Sequence, residues 1–154
     1  MVNLEKLTKK RLGELLVEEG DLKEEQVADA LARQKQTGEL LGEALVKLGY
    51  VSEYDIARSI TRQFNLPFIN AENYTIPLEV LSLVPTSMML EHHFVLMDRI
   101  GKTIIIAVAG LLKIETLEEI ERIANAKLFI YVTTSSSIIA AIRKYQPDAI
   151  PAKR

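Results

Sequence analysis

Few residues in this chain have the types and spacing to do chemistry. Gly101-Lys102-Thr103 matches the end of a phosphate-binding loop. The full pattern needs another glycine five residues earlier, and that position is Leu96. Such a loop also joins a strand to a helix, whereas this tripeptide sits between two β-branched runs, so a hairpin turn is expected. His92 and His93 are adjacent, about 100° apart on a helix, which is poor geometry for holding one ion. They are expected at a helix end, facing solvent or Phe94. The hydroxyl run Thr133 to Ser137 lacks a nucleophile elbow or a partnered base and is expected to cap a helix. No catalytic residue and no metal site is predicted.

The other chemistry-bearing residues are carried by an internal repeat. Arg11-Leu12-Gly13-Glu14 is echoed by Leu40-Leu41-Gly42-Glu43 at an offset of 29. The same offset takes Leu16 to Leu45, Val17 to Val46, Gly20 to Gly49, Ala28 to Ala57, Arg33 to Arg62 and Gln34 to Gln63. Val27 and Leu31 become Ile56 and Ile60, so the apolar stripe persists where identity does not. Each unit reads as a short helix, a glycine stop at positive φ, and a longer helix. Ser52 with Asp55 is a capping-box-like start for the second long helix; Lys23 makes a weaker one for the first. One unit is too small to bury its own face, so the two should pack together.

The elements that must position these residues divide near Pro67. Residues 1–69 read as a tandem helical repeat. Residues 70–146 read as a small α/β layer, and 147–154 as a tail. In the second part, short helices open at Pro77 and Pro85. Strands are predicted over 94–98, 103–108 and 128–133, with helices over 115–124 and 136–145. Leu117, Ile120 and Ile123, then Ile138, Ile139 and Ile142, are expected to point inward. The fold class is α+β with about three strands.

Composition narrows the function classes. Of 154 residues, 48% are hydrophobic and 26% charged, enough to form a core. The net charge of −2 argues against a DNA binder, which needs a basic face. With no cysteine, disulfides, zinc thiolates and cysteine nucleophiles are excluded. Residues 1–6 have no secretory apolar core, and the longest apolar run, Ile104 to Leu112, is far short of the roughly 20 residues of a membrane span. A soluble cytoplasmic protein without membrane insertion is expected.

Two 24-residue units, 11–34 and 40–63, with 35–39 between them, resemble the MshEN domain, the N-terminal domain of type II secretion and type IV pilus assembly ATPases. Leu66-Pro67-Phe68, just past the second unit, also resembles that family. Val84-Pro85, Ile106-Ala107-Val108 and Ile142 to Tyr145 resemble its α/β extension more weakly. No P-loop is present, so an ATPase motor is not expected within these residues. The resemblance implies a cyclic di-GMP receptor with no cofactor, bound through Arg11, Leu12, Gly13, Leu16, Val17, Gly20 and Gln34. The second unit would use Leu40, Leu41, Gly42, Leu45, Val46, Gly49 and Gln63.

The residue types suit that ligand. Arginine stacks on guanine or pairs with its edge or a phosphate, leucines cover bases, and glutamine both donates and accepts. Glycine is expected to let the backbone approach the ligand. Leu40 departs from the pattern, standing where the first unit has Arg11. Because the polar positions of the repeat precede Pro67, the ligand site is expected in the first part. The resemblance also implies a partner in a secretion or pilus apparatus. The alternative is a docking module for such an apparatus that needs no nucleotide.

Overall fold

A computed structural model describes residues 11–149. The expectations for the first residues and for the tail from 150 lie outside the described residues.

The repeat folds as two helix pairs: α1 (Leu12–Glu18) with α2 (Glu24–Thr37), and α3 (Leu41–Lys47) with α4 (Glu53–Phe64). Both short helices stop in the same way. Gly20 (φ 84°) and Gly49 (φ 77°) take the left-handed conformation, and their N–H groups donate to Val17 O and Val46 O, each at 3.0 Å. The next N–H groups, of Asp21 and Tyr50, donate to Leu16 O and Leu45 O. These are paired Schellman bonds that satisfy the last helical carbonyls, and they explain why glycine recurs at this spacing. At α4, Ser52 Oγ accepts from Asp55 N–H at 3.1 Å while Asp55 Oδ2 accepts from Ser52 N–H at 2.8 Å. At α2 the Lys23 N–H instead donates to the Gln26 side chain at 2.9 Å.

The two short helices interlock through their glycines. A β-carbon on Gly13 would lie 3.0 Å from Val27 Cγ1 and 3.4 Å from Leu41 Cδ2. One on Gly42 would lie 3.5 Å from both Ile56 Cδ1 and Leu12 Cδ2. Each unit's leucine thus covers the other unit's glycine, and Val27 and Ile56 occupy equivalent places beneath them. Ser59 Oγ to Asp21 Oδ2 at 3.0 Å and Tyr50 OH to Asp29 Oδ2 at 2.8 Å add polar ties between the units.

The α/β part opens with a 3₁₀ turn (Ala71–Asn73), α5 (Leu78–Leu81) and α6 (Thr86–His92). Then come β1 (Phe94–Ile100), β2 (Thr103–Val108), α7 (Ile114–Ala124), β3 (Lys127–Val132), α8 (Ser135–Tyr145) and a closing 3₁₀ turn (Pro147–Ala149). The sheet order is β1-β2-β3, with β1 and β2 antiparallel and β2 and β3 parallel, so α7 is the crossover. Gly101 (φ 60°) makes the β1–β2 turn, which leaves Lys102 in a hairpin and not at a helix start.

One core runs through both parts. Leu15, Leu16, Leu45 and Ile60 belong to the same buried cluster as Phe94, Leu96, Ile104, Ile106 and Leu117. The connection is stitched to the sheet: Val132 N–H donates to Pro67 O at 2.8 Å and Ile69 N–H to Val132 O at 2.9 Å, pairing Phe68 alongside Val132. Two expected core residues differ. Ile123 is 36% and Ile139 37% exposed, because α7 and α8 bury only one stripe each and these side chains lie at its edge. Among the described residues, no helix is long and apolar enough to cross a membrane.

Candidate functional site

Between the repeat and the α/β part lies a cleft of about 650 Å³. From the repeat its wall takes Arg11, Leu12, Leu31, Gln34, Leu40, Leu41, Gly42 and Val46, together with Glu43, Lys47, Glu53 and Ile56. From the other side come His92, His93, the loop Ala109 to Lys113, Ser135, Ser136 and Ile139. The exposure of Leu31 and Ile139, both members of apolar helix stripes, results from facing this space. Arg11 is the N-cap of α1; its side chain is exposed and makes no ion pair among the described residues.

Two polar ties cross the cleft and meet at the start of α8. His93, at the left-handed end of α6 (φ 55°), places Nε2 3.2 Å from Glu43 Oε1 and Nδ1 2.9 Å from Ser135 Oγ. Histidine tolerates this backbone region better than most side chains. Glu53 Oε1 accepts from Ser136 N–H at 2.9 Å, and the Ser136 hydroxyl lies 2.9 and 2.8 Å from the two carboxylate oxygens. A carboxylate there complements the positive end of the helix dipole. The bond to His93 holds the Glu43 carboxyl below its ordinary pKa, against the opposing effect of burial. Thr134 does cap α8 as the hydroxyl run suggested, accepting from Ser137 N–H at 3.2 Å. Its neighbours help to join the two parts, Ser136 directly through Glu53 and Ser135 by way of His93, which meets Glu43.

Beside the cleft, Glu39 holds the α2–α3 connection. It pairs with Arg33 at 2.8 Å and Lys47 at 2.6 Å and accepts from Thr37 Oγ1 at 2.8 Å. The hydrogen bonds from Lys47, Thr37 and Arg33 lower its pKa from 4.5 to about 2. A depressed carboxylate stabilises the fold above its unfolded pKa and loses that contribution as pH falls through the folded value. Glu39→Gln is therefore expected to melt below wild type at neutral pH. The gap should close as pH falls from about 4.5 to about 2, as read by thermal melts across that window.

The residues expected from the repeat separate by position. Arg11, Leu12, Gln34, Leu40, Leu41, Gly42 and Val46 line the cleft. Leu16 and Leu45 are fully buried in the core. Gly13 is buried under Val27 and Leu41, so its lack of a side chain serves helix packing where close approach to a ligand was expected. Gly20 and Gly49 are helix stops, Val17 packs against the core, and Gln63 is exposed away from the cleft. Among the described residues no group of three or more His, Asp or Glu is placed to hold a metal ion.

The family model for the MshEN domain matches residues 64–152. The chain belongs to the MshEN domain family. That match covers the α/β part, whereas the resemblance read from the sequence was carried mainly by the repeat. Other likenesses extend across both parts. The type IV pilus assembly ATPase PilB of Myxococcus xanthus is 28% identical over 141 residues, spanning 92% of this chain and 25% of that protein. PilB of Thermus thermophilus is 33% identical over 144 residues, spanning 90% and 16%. The chain thus covers a quarter or less of these relatives' length. The solved structure of MshE with cdg (cyclic di-GMP) superposes with a TM-score of 0.67 at 28% identity, covering 89% of this chain and 99% of that one. The N-terminal domain of XpsE shares the fold, with a TM-score of 0.71 at 20% identity over 94% and 97%. In this MshEN domain the cleft has Arg11 on its wall and the two ties at α8 across it.

Proposed function

We propose that this MshEN domain is a cyclic di-GMP receptor module, non-catalytic and cytoplasmic, that regulates a secretion, pilus or motility apparatus. The observation that carries the reading is convergence: the openings of both repeat units and Gln34 meet on one cleft, in a chain similar to MshE solved with cdg. Leu12, Leu40 and Leu41 offer apolar surface to bases and riboses. Arg11 offers a fork for a guanine edge or a phosphate. The asymmetry of the units, with Leu40 opposite Arg11 and Gln63 off the cleft, favours the second reading, a docking module that needs no nucleotide.

Thermal melting separates them. Cyclic di-GMP at a hundred times its dissociation constant adds about 2.7 kcal/mol, which raises the midpoint of a domain this size by roughly 5–10 °C. GMP at the same concentration should give a much smaller shift. Equal melts with and without cyclic di-GMP would favour the docking module.

A further inference from the structure

We infer that Lys113, from the α/β part, contributes to the ligand the positive charge that the second repeat unit lacks at Leu40; this rests on the receptor reading above. A two-fold dinucleotide carries two phosphates, and the opening positions of the two repeat units offer the cleft one arginine, Arg11, because its counterpart is Leu40. Among the described residues, the cleft's other permanent cations are Lys47 and Lys113. Lys47 is already bound to Glu39 at 2.6 Å. The Lys113 side chain is exposed and makes no hydrogen bond or ion pair among the described residues.

Its backbone, by contrast, is fixed. Lys113 is the N-cap of α7, and its carbonyl accepts from Thr116 N–H at 3.1 Å and Leu117 N–H at 3.2 Å. Leu112 beside it is buried, and at the start of the loop Ala109 N–H donates to His93 O at 3.0 Å. The acidic groups on the cleft do not compete for it: Glu43 faces His93, and Glu53 faces Ser136. A free lysine on an anchored loop, across the cleft from the repeat, is placed to meet the half of the ligand that Arg11 does not reach.

The full chain and its variants would be titrated calorimetrically with cyclic di-GMP, with melting of each variant alongside. Lys113→Met, which keeps the aliphatic stem, is expected to weaken binding about tenfold without lowering the melting temperature, as for loss of one charge-assisted contact. Lys113→Arg should stay within a few-fold of wild type, and Lys102→Met, in the β1–β2 turn, should leave affinity unchanged. Leu40→Arg should restore most of the loss in the Lys113→Met background, a non-additive pair. Wild-type affinity in Lys113→Met, or a loss that Leu40→Arg fails to repair, overturns the inference while leaving the receptor reading intact. A wild-type chain that binds no cyclic di-GMP removes the receptor reading itself.

Discussion

Gly13→Val is expected to destabilise the fold by about 3 kcal/mol, the upper range for overpacking a closed contact. The β-carbon alone would stand 3.0 Å from Val27 Cγ1 and 3.4 Å from Leu41 Cδ2. Val27 Cγ2 lies 3.7 Å from the same point, so the two further methyls of valine add bulk to a contact that is already tight. Val27 belongs to α2, so its withdrawal would disturb both helices of the first unit. Gly42 is the internal control. A methyl there would meet Ile56 and Leu12 at 3.5 Å, ordinary contact. Gly42→Ala should therefore be tolerated, with a gain of up to about 1 kcal/mol from helix propensity. Urea denaturation of the two variants checks both signs. A Gly13→Val protein as stable as wild type would mean that the helices do not interlock through their glycines.

Arg11→Ala is expected to cost about 1.5–3 kcal/mol of cyclic di-GMP binding, the range for hydrogen bonds to charged groups. That is roughly a ten- to hundredfold weaker dissociation constant. Arg11→Lys should recover little where the contact is planar or bidentate, since an ammonium neither forks nor stacks. The melting temperature should barely move. The Arg11 side chain is exposed, caps nothing and pairs with nothing among the described residues, so its loss leaves no buried group unsatisfied. The two glycine variants and the arginine variants thus probe different links: the former move stability through packing, the latter move affinity through charge.

What the sequence made legible was local. The Schellman stops at Gly20 and Gly49 and the Ser52–Asp55 box are closed within a few residues, and spacing alone identifies them. So is the Gly101 turn. The site was only half legible, because its other wall comes from residues far along the chain. His93 meets Ser135 across 42 positions, and Glu53 meets Ser136 across 83. Neither pair has a periodicity that could reveal it. A serine run before an apolar helix reads as a cap, and Thr134 fulfils that reading, which hides the second use of its neighbours. Gly13 shows the same limit. Its type signals that something must come close, and only the fold shows that the close neighbours are Val27 and Leu41. Ile139 keeps helical spacing with Ile138 and Ile142 yet faces the cleft, because periodicity gives the stripe's direction but not its width.

Isothermal titration of the full chain with cyclic di-GMP tests the receptor reading most directly. Because the two repeat openings share one cleft, saturable binding of one ligand per chain is predicted, weakened ten- to hundredfold by Arg11→Ala in a protein that melts like wild type. A folded wild-type chain that gives no binding heat at several temperatures and no melting shift with the same ligand would contradict it.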